Sequence, residues 1–192
     1  ESELCHEAGI PLSAVGEIGL DYHYEGESAA KQRDLFERQV ALAAQWRLPV
    51  VVHSREADAD TLAILKSAGS RELSSQGRLG VLHCYTGDEH FAESLMELGM
   101  CISFSGIVTF RNADPLRAVA KTIPWERLLI ETDCPYLTPV PLRGRPNEPA
   151  YVPHVAACLA AVRAVEQEEV ALRTLQTATH LFNVPRGTRS AK

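Results

Sequence analysis

Glu17, His53 and His83 and the pair Glu131 and Asp133 stand at the ends of four short apolar runs. Imidazoles and carboxylates that converge without cysteine suit a catalytic divalent-metal site with open positions, not a closed structural zinc. A carboxylate can bridge two ions. Two ions roughly 3.5–4 Å apart can activate a water and stabilise both the attacking and the leaving oxygens of a phosphodiester. Glu17, His53, His83 and Asp133 would complete one such position and leave a second short of ligands. One histidine at the end of an apolar run is usually a core residue, but four such endings on four runs argue for a shared site.

The runs themselves explain how these residues are brought together. Residues 13–19, 48–53, 79–83, 100–104 and 127–131 read as five strands, apolar almost throughout and therefore buried on both faces, as in a parallel sheet. Helical spacing lies between them. Phe36, Val40 and Ala43 recur at intervals of four and three in 28–46, as do Phe91, Leu95 and Leu98 in the third unit. Asp88 is the expected N-cap of that helix and Gly99 its C′ residue. Asp114-Pro115 reads as a cap followed by proline at the first helical position, and two further helices are expected near 151–166 and 168–183. Strands alternating with helices imply βαβ crossovers. The carboxyl ends of such strands face the ligand site, which is where the four endings fall. Residues 135–153 hold six of the eleven prolines and directly follow the fifth strand, so they read as a long, stiff βα loop.

The chain has 192 residues, 45% apolar and 23% charged, as expected of one globular domain and not of a disordered chain. It contains no run of about 20 apolar residues, so no membrane span is expected. A net charge of −6 excludes a strongly basic nucleic-acid scaffold, although metal ions would alter the local field. Five cysteines without a CxxC pair, and no basic-then-apolar stretch after Glu1-Ser2-Glu3, fit reduced thiols in a cytoplasmic protein.

Five motifs then occur in order: Gly16-Glu17-Ile18-Gly19-Leu20-Asp21-Tyr22, His53-Ser54-Arg55, His83-Cys84-Tyr85-Thr86-Gly87, Glu131-Thr132-Asp133-Cys134-Pro135-Tyr136-Leu137-Thr138-Pro139 and Arg145-Pro146-Asn147-Glu148-Pro149. Together they closely resemble the TatD family of metal-dependent deoxyribonucleases, within the amidohydrolase-like superfamily. The resemblance implies an α/β fold, a TIM (β/α)8 barrel with two divalent ions (Mg, Mn or Zn) at its C-terminal face. It implies hydrolysis of DNA phosphodiester bonds, in single strands or at ends, by a metal-activated water. Glu17 resembles the metal-bridging carboxylate, and His53 and His83 the imidazoles of one metal position. Asp133 resembles the carboxylate that holds the other ion and orients or deprotonates the attacking water. The family's further His-x-His pair on the first strand has no match among histidines 6, 23, 53, 83, 90, 154 and 180. A closed barrel usually takes about 250 residues. With five countable βα units plus C-terminal helices, the expectation is one domain over 1–192. It is an N-terminally truncated, incomplete barrel lacking about the first three units. A monomer with no stable protein partner and no membrane contact is expected.

Asp21, Tyr22, Arg55, Tyr85, Arg143 and Arg145 are the candidate substrate-facing residues. Arg55 would clamp a phosphate bidentately, or else open the next helix as a surface residue. Arg143 and Arg145 would contact a nucleic-acid backbone or pair with acids such as Glu148. Tyr22, Tyr85 and Tyr136 offer faces for splayed bases, against the alternative of packing. Asp21 would orient a ligand or water, or bond a loop. His6, His90 and His180 read as structural, His154 as exposed and His23 as part of a loop over the site. Cys84 and Cys134 read as small packing residues. Two rival functions stay open: a carbon–nitrogen or carbon–oxygen hydrolase of the amidohydrolase type, and a non-catalytic fragment.

Overall fold

The computed structural model describes residues 12–24, 28–67, 73 and 77–184. His6 and Cys5 lie outside the described residues. Five strands, β1 (Val15–Asp21), β2 (Val50–Arg55), β3 (Gly80–Leu82), β4 (Met100–Phe104) and β5 (Leu128–Ile130), form one sheet in sequence order. Every neighbouring pair is parallel. Between and after them lie α1 (Ala29–Trp46), α2 (Asp58–Leu65), α3 (Glu89–Glu97), α4 (Asp114–Thr122), α5 (Val152–Arg163) and α6 (Gln167–Phe182).

Local chemistry sets the helix ends. The Ser28 hydroxyl accepts the Lys31 N–H ahead of α1, and Asp88 accepts the Phe91 N–H ahead of α3 at 2.8 Å. Gly99 follows α3 with φ +87°, a left-handed turn that a side chain would resist. The expected cap at Asp114 falls one residue early instead. Ala113 takes that place and Asp114 begins α4, where its carboxylate pairs with Arg117 at 2.6 Å and faces the helix's positive end.

Alternation along the strands gives the sheet two different faces. Val50, Val52, Leu82, Met100, Ile102, Phe104 and Leu128 enter the main core with Phe36 and Val40 of α1, Phe91 and Leu95 of α3, and Val155 and Leu159 of α5. Fully burying one such side chain contributes about 1.5–3 kcal/mol. The opposite face carries Val51, Val81, Cys101 and Leu129, covered by Ala178, Leu181 and Phe182 of α6. All of β3 and β4 is buried, as sequences apolar but for Ser103 require. His53, His83 and Glu131 continue the odd-numbered positions of that second face just where the apolar residues stop.

Candidate metal centre

Parallel register supplies the first three donors. Val52 pairs with Leu82, so the next residues along, His53 and His83, are neighbours, with ring centroids 5.6 Å apart. Glu17 departs from its expected place at a strand end. It lies mid-strand in β1, and the register shifts between Val15 and Ile18, three steps against two on β2. This irregularity re-aims Glu17 toward the histidines. Its Oε1 lies 2.8 Å from His83 Nε2 and 3.4 Å from His53 Nδ1.

Each imidazole turns its other nitrogen to a second carboxylate. His53 Nε2 meets Asp21 Oδ2 at 3.2 Å, and His83 Nδ1 meets Glu131 Oε1 at 3.2 Å. Histidines that ligate metals are typically held this way, because the outer carboxylate takes one N–H and leaves the inner nitrogen's lone pair free. Burial alone would push His83 toward its neutral form. The hydrogen bond and charge of Glu131, then of Glu17, outweigh it and raise its pKa to about 9.

Asp133 arrives differently. It stands beyond the end of β5, on the proline-rich loop, with φ +58°. Burial raises its pKa, His83 opposes the shift, and Glu131 and Glu17 add to it. Glu131 accepts the Cys84 N–H at 2.8 Å, and the Cys84 thiol lies 3.8 Å from Asp133 Oδ2. Desolvation first, then nearby acids, pushes that thiol up to about 12, so Cys84 is a neutral packing group.

The donor chemistry fits divalent metal. One ligand atom each from Glu17, His53 and His83, and likewise from His83, Glu131 and Asp133, lies within 4.8 Å of the others in its group. Oxygen and imidazole donors shared through His83 suit Mg, Mn or Zn. Among the described residues these are the two such groups.

The substrate-facing candidates divide. Arg55 sits beside the centre, its guanidinium 5.1 Å over the Tyr24 ring and bonded to the Tyr24 hydroxyl at 3.2 Å. It lines a cleft of ≈360 Å³ with Ser54, Glu56, Cys84 and Thr86. Arg145 and Tyr136 are exposed. Asp21 meets His53 with one oxygen and accepts the His23 N–H with the other, so it both orients a candidate ligand and bonds a loop. Three other expectations need correction. Tyr22 donates its hydroxyl to Asp60, beside Arg33, at 2.7 Å. Tyr85 is fully buried against Phe91 and Phe104 and donates to the Asp88 carbonyl, so no face remains for a base. Arg143 stacks 3.9 Å over Phe110 and bonds the Thr138 carbonyl, bracing its own loop. Among the histidines, His154 sets its ring against Tyr151, half-buried rather than exposed, and His23 bonds Glu56 at 2.6 Å.

Two residues beside the centre carry little sequence signal of their roles, Glu131 and Tyr24. The alternation Glu131-Thr132-Asp133 put two carboxylates on one side of the chain, which was the available signal for the first. Tyr24, 66% exposed, gave none.

Comparison with known proteins agrees with this geometry. The family described as TatD related DNase matches residues 5–183. The Escherichia coli K12 protein YcfH, named as an uncharacterised metal-dependent hydrolase, is 47% identical over 94% of this chain and 66% of its own length. A protein of Edwardsiella piscicida named 3′-5′ ssDNA/RNA exonuclease TatD is 40% identical over 89% of this chain and 66% of its own. The crystal structure of YjjV, a TatD homologue from Escherichia coli K12, superposes with a TM-score of 0.81 at 34% identity, over 90% of this chain and 64% of that one. The chain thus spans just under two thirds of the length of these relatives. Its fold is the α/β, parallel-sheet fold of a TIM-barrel-type metal hydrolase, and the chain belongs to the TatD family.

Proposed function

We propose that this chain carries a metal-dependent hydrolase site that cleaves phosphodiester bonds of DNA, in single strands or at ends. The observation that carries the reading is the placement of Glu17 between two imidazoles, each backed by its own carboxylate. The similar exonuclease from Edwardsiella piscicida supports nucleic acid as the substrate class.

Glu17, His53, His83 and Asp133 would hold divalent ions, with one position complete and a second short of ligands, and Glu131 and Asp21 would orient the imidazoles. Such ions, when bound, supply Lewis acidity toward phosphoryl oxygens and make water reactive near neutral pH. Asp133 accepts the proton as the water oxygen attacks phosphorus and the phosphorus–oxygen ester bond breaks. Arg55 binds the phosphate beside the cleft, and the exposed rings of Tyr24 and Tyr136 take the flanking bases.

End-labelled single-stranded DNA, incubated with the protein and Mg²⁺, Mn²⁺ or Zn²⁺, tests the reading. Nucleotide release by the wild type is expected, with loss of release in Glu17→Ala and Asp133→Ala. Equal release by both variants would overturn it.

A further inference from the structure

Asp133 poses a positioning problem that the other donors do not. His53 and His83 are aimed by neighbouring strands in fixed register, whereas Asp133 lies three residues past Ile130 in a left-handed conformation. Such a conformation is uncommon for a residue with a β-carbon and persists only where surroundings hold it.

The holding group is Asn147, 5% exposed and eleven residues further along the chain than Tyr136. Its side-chain amide donates one hydrogen to the Thr132 carbonyl at 2.6 Å and the other to the Tyr136 carbonyl at 2.6 Å. These carbonyls bracket Asp133 from both sides. The Tyr136 N–H closes the bracket on the Asp133 carbonyl at 2.9 Å. The Asn147 backbone N–H bonds the Pro135 carbonyl at 3.0 Å, and its side-chain oxygen accepts the Glu148 N–H at 3.0 Å. Both amide donors are therefore used, and a carboxylate of the same size could not replace them, since it donates nothing. Thr138 adds a parallel tie from its hydroxyl to the Arg145 carbonyl at 2.6 Å.

We propose that Asn147 is a positioning residue: by clamping the Thr132 and Tyr136 carbonyls, it fixes the Asp133 carboxylate against His83 and sets the affinity of the centre for a divalent ion. The inference rests on the metal-centre reading above and extends it to a residue that offers no ligand atom. Loss of the clamp lets the loop at Asp133 relax while the strand-borne donors stay in place.

Mn²⁺ affinity, measured by calorimetry well below the melting temperature, is the test. Asn147→Ala and the equal-sized Asn147→Asp are expected to bind Mn²⁺ about 10–100-fold more weakly, the range found when the groups behind metal ligands are removed. Thr177→Val is the structural control. Thr177 is equally buried and bonds the Trp125 carbonyl at 2.8 Å, away from the centre. It is expected to lower the melting temperature and leave Mn²⁺ affinity unchanged. Wild-type Mn²⁺ affinity in the Asn147 variants overturns the proposal, and so does equal weakening in Thr177→Val. If Asn147→Ala and Asn147→Asp do not fold, Asn147→Ser carries the same comparison, and failure of all three to fold makes Asn147 a folding residue and overturns the proposal too. Wild-type protein that binds Mn²⁺ but leaves DNA intact would remove the nuclease reading alone and leave the Asn147 comparison standing.

Discussion

The two halves of the metal centre are built by different means. Glu17, His53 and His83 come from three adjacent strands, and backbone ladders buried beneath them fix their spacing. Asp133 comes from a loop, held by the Asn147 side-chain amide and the Thr138 hydroxyl. A ladder distributes its stabilisation over many bonds, so one substitution seldom moves it. A clamp concentrates it in one side chain. The strand half should therefore fail only when a donor or the carboxylate directly behind it is removed, and the loop half should fail also when its backbone support is removed.

The largest effect is expected from Glu17→Ala, which takes away the oxygen shared by both imidazoles. Metal affinity should fall by more than about 100-fold, beyond the range typical of outer carboxylates, with melting of the metal-free protein little changed. Glu131→Gln and Asp21→Asn come next, at about 10–100-fold in Mn²⁺ affinity. Glu131 should be the worse of the two, because it supports both His83 and the Cys84 N–H. Equal effects would show that the two imidazoles are independently held.

Two glycines compare the halves directly through stability. A β-carbon at Gly19, in β1 with φ +131°, would run into the His53 carbonyl, and one at Gly106 would run into the Leu137 carbonyl. Overpacking of this kind costs about 1–3 kcal/mol. Gly19→Ala should sit at the top of that range, because its strained φ adds to the clash. Gly106→Ala should instead displace the loop and weaken Mn²⁺ binding for a smaller change in melting temperature.

A pH series sharpens the comparison at His83. Its pKa in the folded, metal-free protein, about 9, lies above the unfolded value of 6.5. The folded state therefore binds the extra proton, and this stabilisation is complete below pH 6.5 and is lost as pH rises through 9. Melts of chelated protein should fall over that window, and Glu131→Gln should flatten the fall. Metal must displace the same proton, so Mn²⁺ affinity should rise over the same interval. An effect on substrate binding alone is expected at the rim. Tyr24→Ala should raise KM for single-stranded DNA by no more than the loss of one stacked base, about 1–3 kcal/mol, while the melting temperature stays constant.

Legibility followed the same division. The runs that became β2 and β3 ended at His53 and His83, so period and apolar content sufficed to place those donors on one edge of the sheet. Residue type marks Glu17 as a donor, but its mid-strand place depends on a register shift set by the neighbouring strand, which leaves no local mark. Tyr22 and Tyr85 look alike beside their motifs. One turns to Asp60 and the other into the core, a choice made by contacts 38 residues away for the first and by Phe91 and Phe104 for the second. By sequence Arg143 suits either a nucleic-acid backbone or a nearby acid, and in the fold it stacks on the face of Phe110. Loop residues find partners through tertiary packing, and sequence spacing holds no record of it.

The cysteines give the loop a practical use. Of the four described thiols, burial raises the pKa of Cys84, Cys101 and Cys158, which should slow their alkylation near neutral pH, while Cys134 is exposed. Cys134 is bonded directly to Asp133. A small fluorophore attached there would sit one peptide unit from the carboxylate it reports on, turning the loop's response to metal into an optical signal.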